Sequence, residues 1–82
     1  MGELYPEGYC VVDLQATKKW YKNGELHRDN DKPAIIWSNG QKEWYKNGKR
    51  HRDGDKPAVI NPDDNIEIYY SNNILTNIQI SN

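Results

Sequence analysis

Trp20–Ile36, reading WYKNGELHRDNDKPAII, returns 24 residues later as Trp44–Ile60, WYKNGKRHRDGDKPAVI. Of the 17 aligned positions 13 are identical, and the rest are Glu25/Lys49, Leu26/Arg50, Asn30/Gly54 and Ile35/Val59. A period this short holds one supersecondary unit, which cannot bury its apolar face alone and must stack on its neighbours. The duplication therefore predicts a repeat architecture in which one surface is built twice.

Within each copy the local chemistry is that of a hairpin. Asn23-Gly24 and Asn47-Gly48 suit a type I′ turn, whose two central residues need positive φ. A two-residue turn sets Trp20 opposite His27, Tyr21 opposite Leu26 and Lys19 opposite Arg28. In the second copy it sets Trp44 opposite His51, Tyr45 opposite Arg50 and Glu43 opposite Arg52. Because side chains alternate along a strand, Trp20 and Trp44 are expected on one face with the histidines, and Tyr21 and Tyr45 on the other with the arginines. A polar corner follows, DNDKP or DGDKP, where Asn or Gly can turn left-handed and Pro withholds a ladder donor.

Outward from the two copies the pattern degrades. Tyr9–Leu14 occupies the place of Pro33–Ser38 one period earlier, a degenerate half-repeat. Beyond the second copy, Asn61–Asp64 aligns with Trp37–Gly40, and Ile66, Ile68, Tyr69 and Tyr70 with Lys42, Trp44, Tyr45 and Lys46. A terminal repeat with more apolar residues reads as a cap. A last strand, Ile74–Ile80, is expected with Ile74, Ile78 and Ile80 on one face. No segment has a helical period, and turn signals recur at the spacing of an all-β chain. The expected fold is an antiparallel meander of eight or nine short strands, as an elongated twisted sheet or, alternatively, a closed or partly closed barrel. The division expected is a single domain over 1–82, with a half-repeat at 9–19, repeats at 20–43 and 44–67, and capping strands at 68–82.

Composition narrows the function classes. The 82 residues carry a net charge of −1 and 35% apolar residues, with six Tyr, three Trp and no Phe. All eleven Lys and Arg lie between Lys18 and Lys56 beside six acids, so a middle of net +5 is flanked by acidic ends. No run is apolar enough to span a bilayer and the start lacks a signal-peptide pattern, so a soluble cytoplasmic protein is expected. The single cysteine, Cys10, lies in an apolar YCVV setting and is expected to be buried.

WYKNGKRH and the adjacent Asn-Gly turns resemble the MORN family, whose tandem β-hairpin repeats follow a pattern close to W-x-N-G-x-x-H-G-x-G. The resemblance covers about residues 17–71. It rests on Trp44, Asn47, Gly48 and His51 and on Trp20, Asn23, Gly24 and His27 one period earlier. Arg-Asp-Gly-Asp-Lys-Pro-Ala replaces the family's glycine-rich corner, so the chain looks most like divergent MORN-like repeats of bacteria, phages and large viruses. The resemblance implies a binding or scaffolding surface and no catalysis.

The residues themselves point the same way. His27 and His51 with one distant cysteine form no zinc spacing. Asp29-x-Asp31 and Asp53-x-Asp55 lack the further ligands and terminal Glu of a calcium loop and are better read as turn residues paired with Arg28 or Arg52. No nucleophile elbow or phosphate loop is present. No cofactor or metal is expected. Tyr21, Trp37 and Tyr45 could stack on bases while Lys22, Arg28, Lys46, Arg50 and Arg52 met phosphates, but six interleaved acids oppose nucleic acid. The expected activity is protein binding through Tyr21, Arg28, Trp37, Tyr45, Lys46, Lys49, Arg50 and Arg52, with a homo-oligomer compatible. The alternative is a phage- or virus-type inhibitor that sequesters a nucleotide signal or blocks a host defence enzyme or a nucleic-acid-binding complex. Lys49 and Arg50 make the second copy the more basic and the first place to look for a partner.

Overall fold

In the computed structural model, which describes residues 8–81, the chain is all β. Ten strands are present among the described residues: β1 Tyr9–Val12, β2 Lys18–Lys22, β3 Glu25–Leu26, β4 Ile35–Ile36, β5 Lys42–Glu43, β6 Tyr45–Lys46, β7 Lys49–Arg50, β8 Val59–Asn61, β9 Ile66–Ser71 and β10 Ile74–Ile80. Seven form the main path, β1-β2-β4-β5-β8-β9-β10, with every neighbouring pair antiparallel. The path is open, ending in the edges β1 and β10, and the molecule measures 48 × 28 × 17 Å. This is the elongated sheet and not the barrel.

The strand count exceeds the expected one because the chain forks at each tryptophan. Lys18 and Lys19 pair with Ile36 and Ile35 in the main sheet, whereas Tyr21 and Lys22 pair with Leu26 and Glu25 in a hairpin. In the second copy Lys42 and Glu43 join the sheet, and Tyr45 and Lys46 the hairpin with Arg50 and Lys49. At the fork Trp20 N–H donates to Ala34 O and Trp20 O accepts from His27 N–H; Trp44 does the same with Ala58 and His51. Ala34 and Ala58 are fully buried there, each held between two strands: Ala34 N–H donates to Glu43 O and Ala58 N–H to Ile68 O.

The fork corrects two pairings. Lys19 lies opposite Val11 and Ile35 instead of Arg28, and Glu43 opposite Ile35 and Val59 instead of Arg52. Arg28 has already left the ladder, and its N–H reaches Tyr45 O of the next hairpin. Strand alternation therefore stops governing the arginines at positions 28 and 52.

Both expected turns have positive φ at their central residues, 52° and 78° in each copy, and Asn72-Asn73 forms a third at 49° and 72°. The third copy runs one residue longer. Val11↔Lys19 and Ile35↔Glu43 are one 24-residue period apart, but the next pair is Val59↔Ile68, because Asn61–Asn65 adds one position. Tyr69, not Ile68, thus stands where Trp44 does, and Asn72 where Asn47 does. A row Val11–Lys19–Ile35–Glu43–Val59–Ile68–Ile78 crosses the whole sheet.

The last strand carries a bulge: Leu75 pairs with Tyr70 and Asn77 with Tyr69, leaving Thr76 over. The extra residue moves Ile74 to the opposite face and puts Leu75, Ile78 and Ile80 together, which corrects the Ile74/Ile78/Ile80 face. Cys10 is exposed, not buried, since it lies on edge strand β1, three of whose four residues are exposed.

Two glycines at positive φ predict different losses. Around Gly24 (φ 78°) an added Cβ meets open space, so Gly24→Ala carries only the left-handed penalty of about 1 kcal/mol. At Gly8 (φ 98°) it would sit 2.8 Å from Tyr21 O, so Gly8→Ala adds a main-chain clash that pries β1 from β2. Denaturant melts should show Gly8→Ala the more damaging, with β1 amides losing exchange protection.

Candidate functional site

The return segment of each hairpin is bonded to the turn of the next. His27 Nδ1 accepts from Asn47 N–H at 2.9 Å, and His51 Nδ1 from Asn72 N–H at 3.1 Å. An accepting Nδ1 leaves the ring proton on Nε2, which donates to Asp29 Oδ1 at 2.8 Å and, in the second copy, to Asp53 Oδ1 at 2.7 Å. Both imidazoles thus have both nitrogens engaged. Backbone bonds run alongside: Gly48 N–H donates to Leu26 O and Asn73 N–H to Arg50 O.

On the same side the arginines lie flat on the tryptophans, Arg28 at 3.7 Å from the Trp20 ring centre and Arg52 at 3.8 Å from that of Trp44. The expectation that Tyr21 and Tyr45 share the arginine face holds for Arg50 alone, 5.7 Å from the Tyr45 ring. A partly desolvated guanidinium over indole contributes about 1–2 kcal/mol. Arg52 engages all three of its guanidinium nitrogens: it grips Asp31 through Nε and Nη2 at 2.9 and 3.3 Å and donates from Nη1 to Pro57 O at 3.0 Å. The Arg28 guanidinium makes one hydrogen bond among the described residues, Nη1 to Pro33 O at 3.2 Å.

Between the two Trp–Arg stacks runs a groove of about 310 Å³, lined by Arg28, Asp31, Trp44, Lys46 and Arg52 among others. A second cleft, with Trp20, Tyr21, Lys22 and Lys32, also borders Arg28. Most of the cations here are already matched. Lys22 bonds Asp29, Lys46 bonds Asp53 and Lys56 bonds Asp31, at 3.4, 2.9 and 3.0 Å. The Arg52 and Lys56 hydrogen bonds hold the Asp31 carboxyl down to about 2, the His27 hydrogen bond lowers Asp29, and Lys46 followed by His51 lowers Asp53. Around the groove most of the positive charge is therefore paired with carboxylates, which suits a polyphosphate backbone poorly.

Trp37, Tyr45 and Arg50 meet elsewhere, over Glu43. This carboxylate is 4% exposed and accepts from Trp37 Nε1 (2.8 Å), Tyr45 Oη (3.1 Å) and Arg50 Nε and Nη2 (3.3 and 3.1 Å). Burial, then the Glu43 charge, pushes the Tyr45 phenol up. Arg50 also approaches the Tyr70 ring at 5.3 Å. A buried charge is tolerated only when its lone pairs are filled this way. Of the eight expected binding residues, Arg28, Tyr45, Lys46 and Arg52 line the groove, and Trp37 and Arg50 join Tyr45 at Glu43. Tyr21 stacks on Tyr9 with ring centres 5.7 Å apart, and Lys49 lies at the tip of the second hairpin. Sequence reasoning missed Glu43, whereas Asp31, read as a turn residue paired with Arg28 or Arg52, pairs with Arg52. Glu43 carried a signal: it reverses the charge of Lys19 at the same place in the repeat.

Two outcomes follow from this chemistry. Long-range ¹H–¹⁵N spectra should show both histidines as Nε2–H tautomers at neutral pH, and His27→Phe, which strands the Asn47 N–H, should cost about 1–3 kcal/mol in a denaturant melt. Asp31 titrates normally at 3.8 but at about 2 when folded, so its stabilisation is complete above 3.8 and is lost as pH falls through about 2. Asp31→Asn should be less stable than wild type at neutral pH, and the gap should close in acid-unfolding curves over that interval.

No family model matches the chain, and no solved structure matches it. Over 31 residues the chain is 58% identical to an uncharacterized protein of Acanthamoeba polyphaga mimivirus. The shared stretch is 35% of this chain and 8% of that protein, so the chain spans a small fraction of the relative's length. No helix among the described residues is long and apolar enough to cross a membrane.

Proposed function

We propose that the chain is a non-catalytic, cytoplasmic module of divergent MORN-like hairpin repeats that binds a protein partner, and that Arg28 is the anchor of that contact. The observation that supports this reading is the inequality between the two Trp–Arg stacks. The Arg52 guanidinium makes three hydrogen bonds, to Asp31 and Pro57 O, whereas that of Arg28, stacked on Trp20, makes a single one, to Pro33 O, among the described residues. It also borders both clefts. A guanidinium held rigidly by an indole is pre-organised for a carboxylate and loses little entropy on binding one. Arginine and tryptophan are also the residue types that dominate protein interfaces. The site thus moves from the more basic second copy, where Lys46, Arg50, Arg52 and Lys56 are each paired with a carboxylate, to the first. A virus-type setting is in keeping with the 31-residue likeness to the mimivirus protein.

Affinity capture from the source cells tests the reading. Wild-type protein should retain a stoichiometric protein partner, and Arg28→Ala should weaken that complex by about 30-fold or more, the loss typical of an interface hot spot. Lys49→Ala, at the far tip of the second hairpin, should bind as wild type. Absence of any protein partner, or equal retention by Arg28→Ala, would overturn it.

A further inference from the structure

The edge strand β10 is unlike the other strands. Its seven residues, ILTNIQI, are all exposed and include no charge and no proline, with Ile74 and Ile80 67% exposed and Leu75 and Ile78 49% exposed. Protein sheets ordinarily protect an edge with charge, proline or shortness. The Thr76 bulge is the one such device here, and it leaves the run Asn77–Ile80 straight.

The hydrogen-bond register says which groups this edge offers. Ser81 N–H donates inward to Asn65 O, and antiparallel ladders alternate inward and outward residues. Asn77 and Gln79 therefore bond β9, while the N–H and C=O of Ile78 and Ile80 point away from the sheet. The partner β9 agrees, since Ile68, opposite Ile78, turns its C=O to Ala58 on the other side. Ile78 and Ile80 thus combine outward backbone groups with apolar side chains, Ile78 continuing the row Val59–Ile68 and Ile80 lying opposite Ile66.

Strand parity identifies the occupant. The main path has seven strands, alternately up and down, so β1 and β10 run in the same direction. A copy added head to tail would set β10 parallel to the next β1, against the antiparallel order of every other pair. A two-fold axis beside β10 sets it antiparallel to its own copy and closes the assembly at two chains. An uncharged strand meets its copy without like-charge repulsion. The other edge, β1, offers four residues in place of seven. We propose that β10 is a dimerisation edge: two copies of the chain pair antiparallel through the outward backbone groups of Ile78 and Ile80, joining their sheets into one. This inference is independent of Arg28, which lies on the hairpin side of the sheet.

Sedimentation equilibrium across a wide concentration range tests it, with circular dichroism as the control for folding. Wild type should reach twice the 9.6 kDa chain mass, with the Ile78 and Ile80 amides gaining exchange protection as the dimer forms. Ile78→Pro removes an outward N–H and leaves the inner ladder intact, so it should remain a folded monomer. Ile78→Lys keeps the backbone and sets an ammonium group from each copy on the same face, one on either side of the two-fold axis, so it should also be monomeric. Wild type that stays monomeric at every concentration, or a dimer that Ile78→Lys leaves intact, would overturn the proposal.

Discussion

The hydrogen bond from the turn of one hairpin to the imidazole of the hairpin before it is the constraint on which the rest depends. Hairpins with two-residue arms, such as β6–β7, have little stability of their own. Asn47 N–H on His27 and Asn72 N–H on His51 fix each tip against its predecessor. Once the tips are set, Asp29 and Asp53 hold the ring tautomer, the corner folds back, and Arg28 and Arg52 come to rest on the tryptophans. The histidine of the repeat is thus a joint between units, and its neighbours follow from its placement.

Much of this could be read from the residues, and the unread part has physical causes. The Asn-Gly turns, the 24-residue period and the open antiparallel sheet follow from turn chemistry and duplication, which are local. The fork at Trp20 and Trp44 is not local: whether residue 19 pairs with 28 or with 35 depends on a strand that has yet to arrive. A single added residue in Asn61–Asn65 moved Tyr69 into the tryptophan position, and one in β10 turned Ile74 to the opposite face. Period-2 structure magnifies such slips, because one residue exchanges the two faces.

Charge illustrates the same division. Counting Lys and Arg finds a basic middle, but the carboxylates that pair with its groove cations come from corners up to 25 positions away, as Asp31 does for Lys56. Arg28 and Arg52 are the same letter in the same motif with different numbers of partners. The side chain with donors to spare is legible only once the corner carrying Asp31 is seen to serve the arginine of the following copy and not its own.

The joint has a further consequence for how the protein assembles itself. Among the described residues each unit bonds to the one before and the one after, so the interactions there form a chain of nearest-neighbour couplings along an open sheet. Folding in such a system starts wherever one pair of units meets and spreads along the array, and perturbations in non-adjacent units add independently. Adjacent units, sharing a histidine and its turn, rise and fall together.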